Sequence, residues 1–461
     1  MEKQITNPEK ENTQTLKRVL PLSFLIFYGI AYVSPTSVFG TFGLVNQDTH
    51  GMIPLTYMVA TCVMAFTAFS YKHMSSQFPY AGSVYTYTSK TINPHGGFLC
   101  GWAILVDYML LPMVCYLLAA IYIKTYMPGI PAWVIVVAMI FIVSVINYRG
   151  IEISAWANNT IVIIQWIFML AFLFFLIKWI TTGDPSNEAA FSLTAFFNEE
   201  EFSKPDVGIG AIFSGASVLA LAFLGFDSVS TLAEEAVRPK KDIGTAIVVV
   251  CIFCGCFNGF FAYLMNCSWP NNWFEVTSAD NGAQELMIKV CGSAMGYIFT
   301  AVYVIACIAC SIAAQGSAAR ILFGMGRDGL LPKKIFAHVH PKYRTPTYSI
   351  MVIAIISLIA IFMDLNLATS IINFGALLGF TMVNICVIVY FFFKKKNRGL
   401  AGFLKYLLVP LIGAVFCSII FVSLDKYSLI IGGIWLLIGA IYLAIKTKMF
   451  RTLPPEMNLE E

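Results

Sequence analysis

Apolar stretches follow one another along this chain too closely to leave room for a soluble domain between them. Twelve of them, at 22–44, 53–71, 96–123, 131–148, 158–181, 207–235, 243–266, 292–324, 347–363, 366–393, 405–423 and 427–446, run 17 to 33 residues with few charges. A helix of about 20 apolar residues crosses the hydrocarbon core of a bilayer. In lipid the backbone must satisfy its own hydrogen bonds, so only helices and closed barrels span. The stretches lack alternation and exceed barrel-strand length, which excludes a barrel. Only 12% of residues are charged, against roughly 25% in soluble domains. The fold class is therefore an all-α polytopic membrane protein with twelve transmembrane helices, read as one transmembrane domain over 1–461.

The distribution of charge orients it. With a cytoplasmic N-terminus, 24 Lys and Arg fall on the inner side and 5 on the outer, as the positive-inside rule requires. Acids collect outside instead, at Glu199-Glu200-Glu201 and Asp206, in a loop that also carries Asp184-Pro185. Both termini are then cytoplasmic, with a polar tail at 1–21 and no cleavable signal peptide expected. The basic loops around Lys333-Lys334 and Lys394-Lys395-Lys396 serve topology and contact with anionic lipid; no nucleic-acid partner is expected. The twelve cysteines sit mostly in apolar stretches (Cys62, Cys251, Cys254, Cys256, Cys307) and read as reduced, buried small hydrophobes. Cys251-x-x-Cys254 has no histidine nearby to complete a metal set. No nucleophile–base constellation appears, which argues against an enzyme.

One acid breaks the pattern. Asp227 lies in Leu221-Ala222-Phe223-Leu224-Gly225-Phe226-Asp227, within the sixth stretch. An acid at bilayer depth costs at least ~2.5 kcal/mol, and such acids face a water path, a proton relay or a cationic ligand. Gly225 beside it and Gly215 upstream predict a helix that opens at mid-membrane. Five spans earlier the first stretch is interrupted too, at Ala31-Tyr32-Val33-Ser34-Pro35. Broken helices in corresponding positions of two inverted halves mark a transporter's binding site. The halves are 22–206 and 207–393, with two further helices and a tail over 394–461.

Longer motifs surround these breaks. They are Gln77-Phe78-Pro79-Tyr80-Ala81-Gly82-Ser83, Ala233-Glu234-Glu235 with Arg238-Pro239-Lys240-Lys241, and Ala319-Arg320 through Gly329-Leu330-Leu331-Pro332. With them the chain resembles the amino acid–polyamine–organocation superfamily over nearly its whole length. Gly29-Ile30-Ala31-Tyr32-x-x-Pro35, Ser89-Lys90-Thr91-Ile92-Asn93-Pro94-His95, Asp107-Tyr108-Met109-Leu110-Leu111-Pro112 and Ile372-Asn373-Phe374-Gly375 resemble the bacterial putrescine importers in particular. The resemblance implies a five-plus-five inverted-repeat fold of the LeuT type with helices 1 and 6 broken. It also implies energy-coupled uptake of a small diamine, with no cofactor beyond an ion gradient, protons first and sodium left open.

Asp227 is then the expected cation ligand, since a buried carboxylate binds an ammonium by a charge-assisted hydrogen bond. Asp107 is a second intramembrane acid, read as a second ligand, a proton carrier or a tie between helices. Tyr108 offers a ring face to a cation. Amino acid permeases of the superfamily often cradle the substrate carboxylate on a glycine-rich break. Here Pro35 lacks an amide hydrogen and Tyr32 adds bulk, which suits a substrate without a carboxylate. Ser34, Phe223, Gly225, Tyr303 and Asn373 complete the expected lining. Gln165 stands where some proton-coupled relatives carry a lysine, so coupling is expected at Asp107, Asp227 or Glu234 instead. The function expected is import of putrescine or a related polyamine across the plasma membrane; the alternative is a cationic or neutral amino acid permease on the same fold.

Overall fold

The structure is a computed structural model describing residues 18–183, 189–205, 207–270, 272–277, 279, 282–363, 365–424 and 426–452. Asp184-Pro185, Asp206 and most of the N-terminal tail lie outside the described residues.

The first apolar stretch forms two helices, α1 (Leu22–Val33) and α2 (Ser37–Asp48), which meet at an angle of 41°. The chain continues through α3 (Ile53–Gln77), α4 (Ser83–Thr91), α5 (Pro94–Tyr126), α6 (Ala132–Tyr148), α7 (Ile151–Lys178) and α8 (Glu199–Phe202). The sixth stretch is α9 (Gly208–Leu219), tightened into a 3-10 turn at Ala220–Phe223, broken, and resumed as a 3-10 helix over Asp227–Leu232. Next come α10 (Pro239–Ser268), α11 (Asn272–Glu275), α12 (Gly282–Cys291), α13 (Ser293–Arg327), α14 (Lys333–Phe336) and α15 (Thr347–Ser357). The chain ends with α16 (Leu365–Val387), α17 (Leu400–Phe403), α18 (Val409–Val422) and α19 (Lys426–Lys446). Among the described residues nine helices are long and apolar enough to cross a membrane, ten if α1 and α2 form one bent span; Ala132–Tyr148 and Thr347–Phe362 are shorter apolar helices.

Packing follows two axes, α3 against α10, and α5 against both α13 and α16. Small residues let these helices approach, as membrane helices require in the absence of a hydrophobic drive between them. A Cβ on Gly375 of α16 would lie 2.4 Å from the Ala103 carbonyl of α5, and one on Gly244 of α10 would lie 2.7 Å from Lys72 of α3. Large apolar side chains such as Phe141, Trp156, Ile167 and Ile441 remain outside, on the surface that meets lipid. The last helix is fastened by a reciprocal pair: Trp102 Nε1 donates to the Trp435 carbonyl at 2.9 Å, Trp435 Nε1 to the Trp102 carbonyl at 2.7 Å, and the indoles stack at 4.7 Å.

Two expectations change, for Gly215 and for the cysteines, and two further segments carry helices. Gly215 stays helical within α9, serving close packing: a Cβ there would meet Thr49, Thr56 and Val45 at 2.7 to 3.2 Å. The opening lies only around Gly225. Ser83–Thr91, too polar to stand out as a helix, is α4, buried against α5. Between α10 and α13 lie the short helices α11 and α12, and Gly282 of α12 fits against Gly43 of α2. Cys62 and Cys256 face outward rather than into the core, while Cys251, Cys254 and Cys307 are buried; all twelve cysteines are unpaired.

Candidate functional site

The two helix breaks touch. At the first, Ser34 leaves the helix with φ 63° while its amide still bonds the Ile30 carbonyl at 2.8 Å. At the second, Leu224 turns extended and Gly225 takes φ 109°, a conformation that L side chains avoid. A Cβ on Gly225 would lie 1.9 Å from Tyr32 Cδ1. Glycine is therefore required twice at this position, by the backbone angle and by the ring that fills its empty side. Below the breaks the two chains stay bonded: the amides of Val19 and Leu20 donate to the Glu235 carbonyl, and Val237 donates to that of Leu20.

Asp227 begins the helix that follows the second break and is fully buried. Its Oδ2 accepts from the hydroxyl of Tyr108 on α5, and from that of Tyr71 on α3 at 3.4 Å. Its Oδ1 has no hydrogen-bond partner among the described residues. The carboxylate is thus anchored by tyrosines through Oδ2. Aromatic rings enclose it: Tyr32 lies edge-on to Tyr108 at 6.1 Å, and Tyr71 packs against Phe226 at 6.0 Å and Phe380 at 6.2 Å. Asp107, one residue before Tyr108, is fully buried, and neither of its oxygens receives a hydrogen bond from a described residue. Tyr32's hydroxyl is buried and likewise has no partner among the described residues.

A cavity of about 430 Å³ reaches the outer face of this cluster, within the size range of small-molecule sites. Tyr32, Ser34, Thr36 and Leu224 close its deep end, and Ser214, Ser217, Tyr303, Cys307 and Asn373 form its walls. It extends past Gly40 to exposed Leu44 and the α18–α19 turn. Asp227, Asp107 and Tyr108 lie outside this lining, and Tyr32, which lines it, packs against Tyr108. Phe223 also lies outside it, turned toward Gly255 of α10 and Tyr57 of α3. Tyr303 packs against Tyr122 at 4.8 Å, and Asn373 Oδ1 has no partner. Gln165, fully buried, accepts from Ser34 Oγ at 3.0 Å and so ties the first break to α7.

The opposite end of the bundle is closed by charge. Arg327 Nη1 donates to both oxygens of Glu234 at 3.0 and 2.9 Å, and the Ala81 amide donates to the same side chain at 3.2 Å. Arg320 pairs with buried Glu235 at 2.8 Å, and the Tyr85 hydroxyl donates to Asp328. These contacts join the segment ahead of α4, the second broken helix and the end of α13.

Sequence reasoning missed Tyr71. Standing next to Lys72 near the end of a span, it reads as an interfacial anchor. Only the pairing of α3 with the broken segment shows that it faces the acid.

The family model described as Amino acid permease matches residues 20–452. The low-affinity putrescine importer PlaP of Escherichia coli (strain K12) is 36% identical over 445 residues, covering 96% of both chains. The branched-chain amino acid permease BcaP of Bacillus subtilis (strain 168) is 25% identical over 456 residues, covering 93% of this chain and 92% of its own. The vacuolar cationic amino acid transporter 2 of Arabidopsis thaliana is 25% identical over 410 residues, covering 85% of this chain and 62% of its own. Matched along nearly all its length, with membrane-length apolar helices throughout, this chain belongs to the amino acid permease family.

Proposed function

We propose that this permease imports putrescine or a related small polyamine by alternating access, coupled to protons. The observation that carries the reading is Asp227, a buried carboxylate at the meeting of two helix breaks, with one oxygen held by tyrosines and the other without a partner among the described residues. Such an oxygen suits an ammonium, and the surrounding rings suit a cation. Pro35 removes one amide donor from the first break, which suits a substrate without a carboxylate. The similarity to an E. coli putrescine importer points the same way.

In this reading the bent pair, the nine long helices and the two shorter ones make twelve spans, with inverted repeats at 22–206 and 207–393 and both termini in the cytoplasm. The cavity then faces outward, and the Glu234–Arg327 and Glu235–Arg320 pairs keep the inner side shut. Asp227 holds the substrate while the halves rock about the two breaks, and Tyr32 moves aside to admit it.

The test is radiolabelled putrescine uptake and binding in proteoliposomes. Losing one charge-assisted hydrogen bond costs about 1.5–3 kcal/mol, so Asp227→Asn is expected to weaken binding by roughly 10- to 150-fold with the protein still folded. Undiminished binding refutes the ligand role. A second reading, an amino acid permease, draws on the relatives named for branched-chain and cationic amino acids. Lysine, arginine or leucine displacing bound label better than putrescine would establish it instead.

A further inference from the structure

We infer that Asp107 is the subsite for the far ammonium of a diamine, and that in the substrate-free carrier a proton occupies it. The inference rests on the reading of Asp227 as the site of the first ammonium.

The two acids are prepared differently. Asp227 has two tyrosine hydroxyls on Oδ2, a ready-made cradle for an anion. Asp107 is equally buried, yet no described residue donates to either oxygen. A buried polar group without a partner is costly, and a bare buried charge far more so. The charged or titratable groups acting on Asp107 come from every side of it: Asp227 on the broken helix, Tyr32 on α1, Tyr71 on α3, Tyr108 on its own helix and Cys310 on α13. None is a cation. Asp227 acts on Asp107, and two buried carboxylates that interact without a counter-ion do not readily both ionise; they titrate as a pair. Since the donors all sit at Asp227, the shared proton belongs on Asp107.

Tyr32 connects the two. Its hydroxyl has no partner among the described residues, and both acids act on it. Its ring closes the cavity and abuts Gly225. A diamine that displaces this ring meets Asp227 with its first ammonium, and its second has one further acid to reach. Binding there replaces the Asp107 O–H proton by an ammonium: the carboxylic acid becomes a carboxylate, one proton leaves to solvent, and the pair of acids then neutralises the dication. A monoamine satisfies Asp227 alone and displaces nothing.

The experiment is proton release in weakly buffered detergent solution near neutral pH, read by a pH dye as ligand is added to the full-length protein. Wild type is expected to release about one proton per putrescine bound and none per butylamine, and to bind putrescine at least tenfold more tightly than butylamine. Asp107→Asn is expected to bind both amines about equally, with no release. Asp107→Glu, which keeps the acid, is expected to restore release. Putrescine binding by wild type without proton release overturns the inference, as does an unchanged release or an unchanged diamine preference in Asp107→Asn. If wild type binds neither amine, the reading of Asp227 as an amine site fails instead.

Discussion

Gly225→Ala tests whether the two helix breaks are one mechanical unit. Two costs add at this position. The first is backbone: alanine at φ 109° is forced into a region that L residues avoid, at roughly 1–3 kcal/mol. The second is steric. The new methyl would sit 1.9 Å from Tyr32 Cδ1 and 2.4 Å from its Cγ, so the ring must leave its place at the cavity's deep end; overpacking of this kind costs about 1–3 kcal/mol. The sum is ~2–6 kcal/mol. Tyr32→Ala removes the ring but leaves Tyr32 Cβ 2.8 Å from the new methyl. It therefore relieves the second cost in part and the first not at all. A double-mutant cycle is expected to give a favourable coupling of about 1–2 kcal/mol. The assay is unfolding of the detergent-solubilised protein for the four variants, followed by intrinsic fluorescence, with putrescine binding measured in parallel. A stable Gly225→Ala protein with wild-type binding would refute the argument, and strictly additive effects would show that the breaks do not meet.

Three other outcomes follow from the geometry. Tyr108→Phe removes a donor to the Asp227 carboxylate and is expected to weaken amine binding by roughly 10- to 150-fold; Tyr71→Phe, whose contact is 3.4 Å long, is expected to cost less than about fivefold. Equal losses would show that the hydroxyls do not act through Asp227. Arg320→Ala leaves Glu235 buried and unpaired and is expected to destabilise by about 3–5 kcal/mol; denaturation in detergent measures this, and a mild Arg320→Ala would contradict the buried pair. Lys204 and then His50 hold Glu201 below the usual carboxylate range. Its folded value lies below its unfolded one, so its contribution is fully present above the ordinary glutamate range and fades as pH falls through the lowered value. Amide exchange in α8 should therefore accelerate with acidification relative to Glu201→Gln, and parallel profiles would rule this out.

The span pattern was legible because lipid leaves the backbone few options, so hydropathy alone marks the long helices. The break at Ser34-Pro35 and the one at Gly225 were legible for the same reason, since proline and glycine interrupt apolar stretches. Gly215 was misread because composition does not separate a packing glycine from a hinge glycine. Only a neighbour does, here Thr49 and Thr56. α4 was missed because its serines and threonines are buried by other helices rather than by lipid. The places of Tyr71 beside Asp227 and of Tyr32 against Gly225 depend on which helices lie side by side, a fact without local signature. The contrast between Asp107 and Asp227 is of the same kind: both read as buried acids, and only the donors around them tell them apart.

The reciprocal indole bonds of Trp102 and Trp435 bear on how the chain is assembled. The two residues are 333 positions apart, so α5 enters the bilayer long before its partner has been synthesised. Helix α19 thus completes this face of α5, and a chain lacking α19 is expected to leave the Trp102 indole N–H without its carbonyl partner.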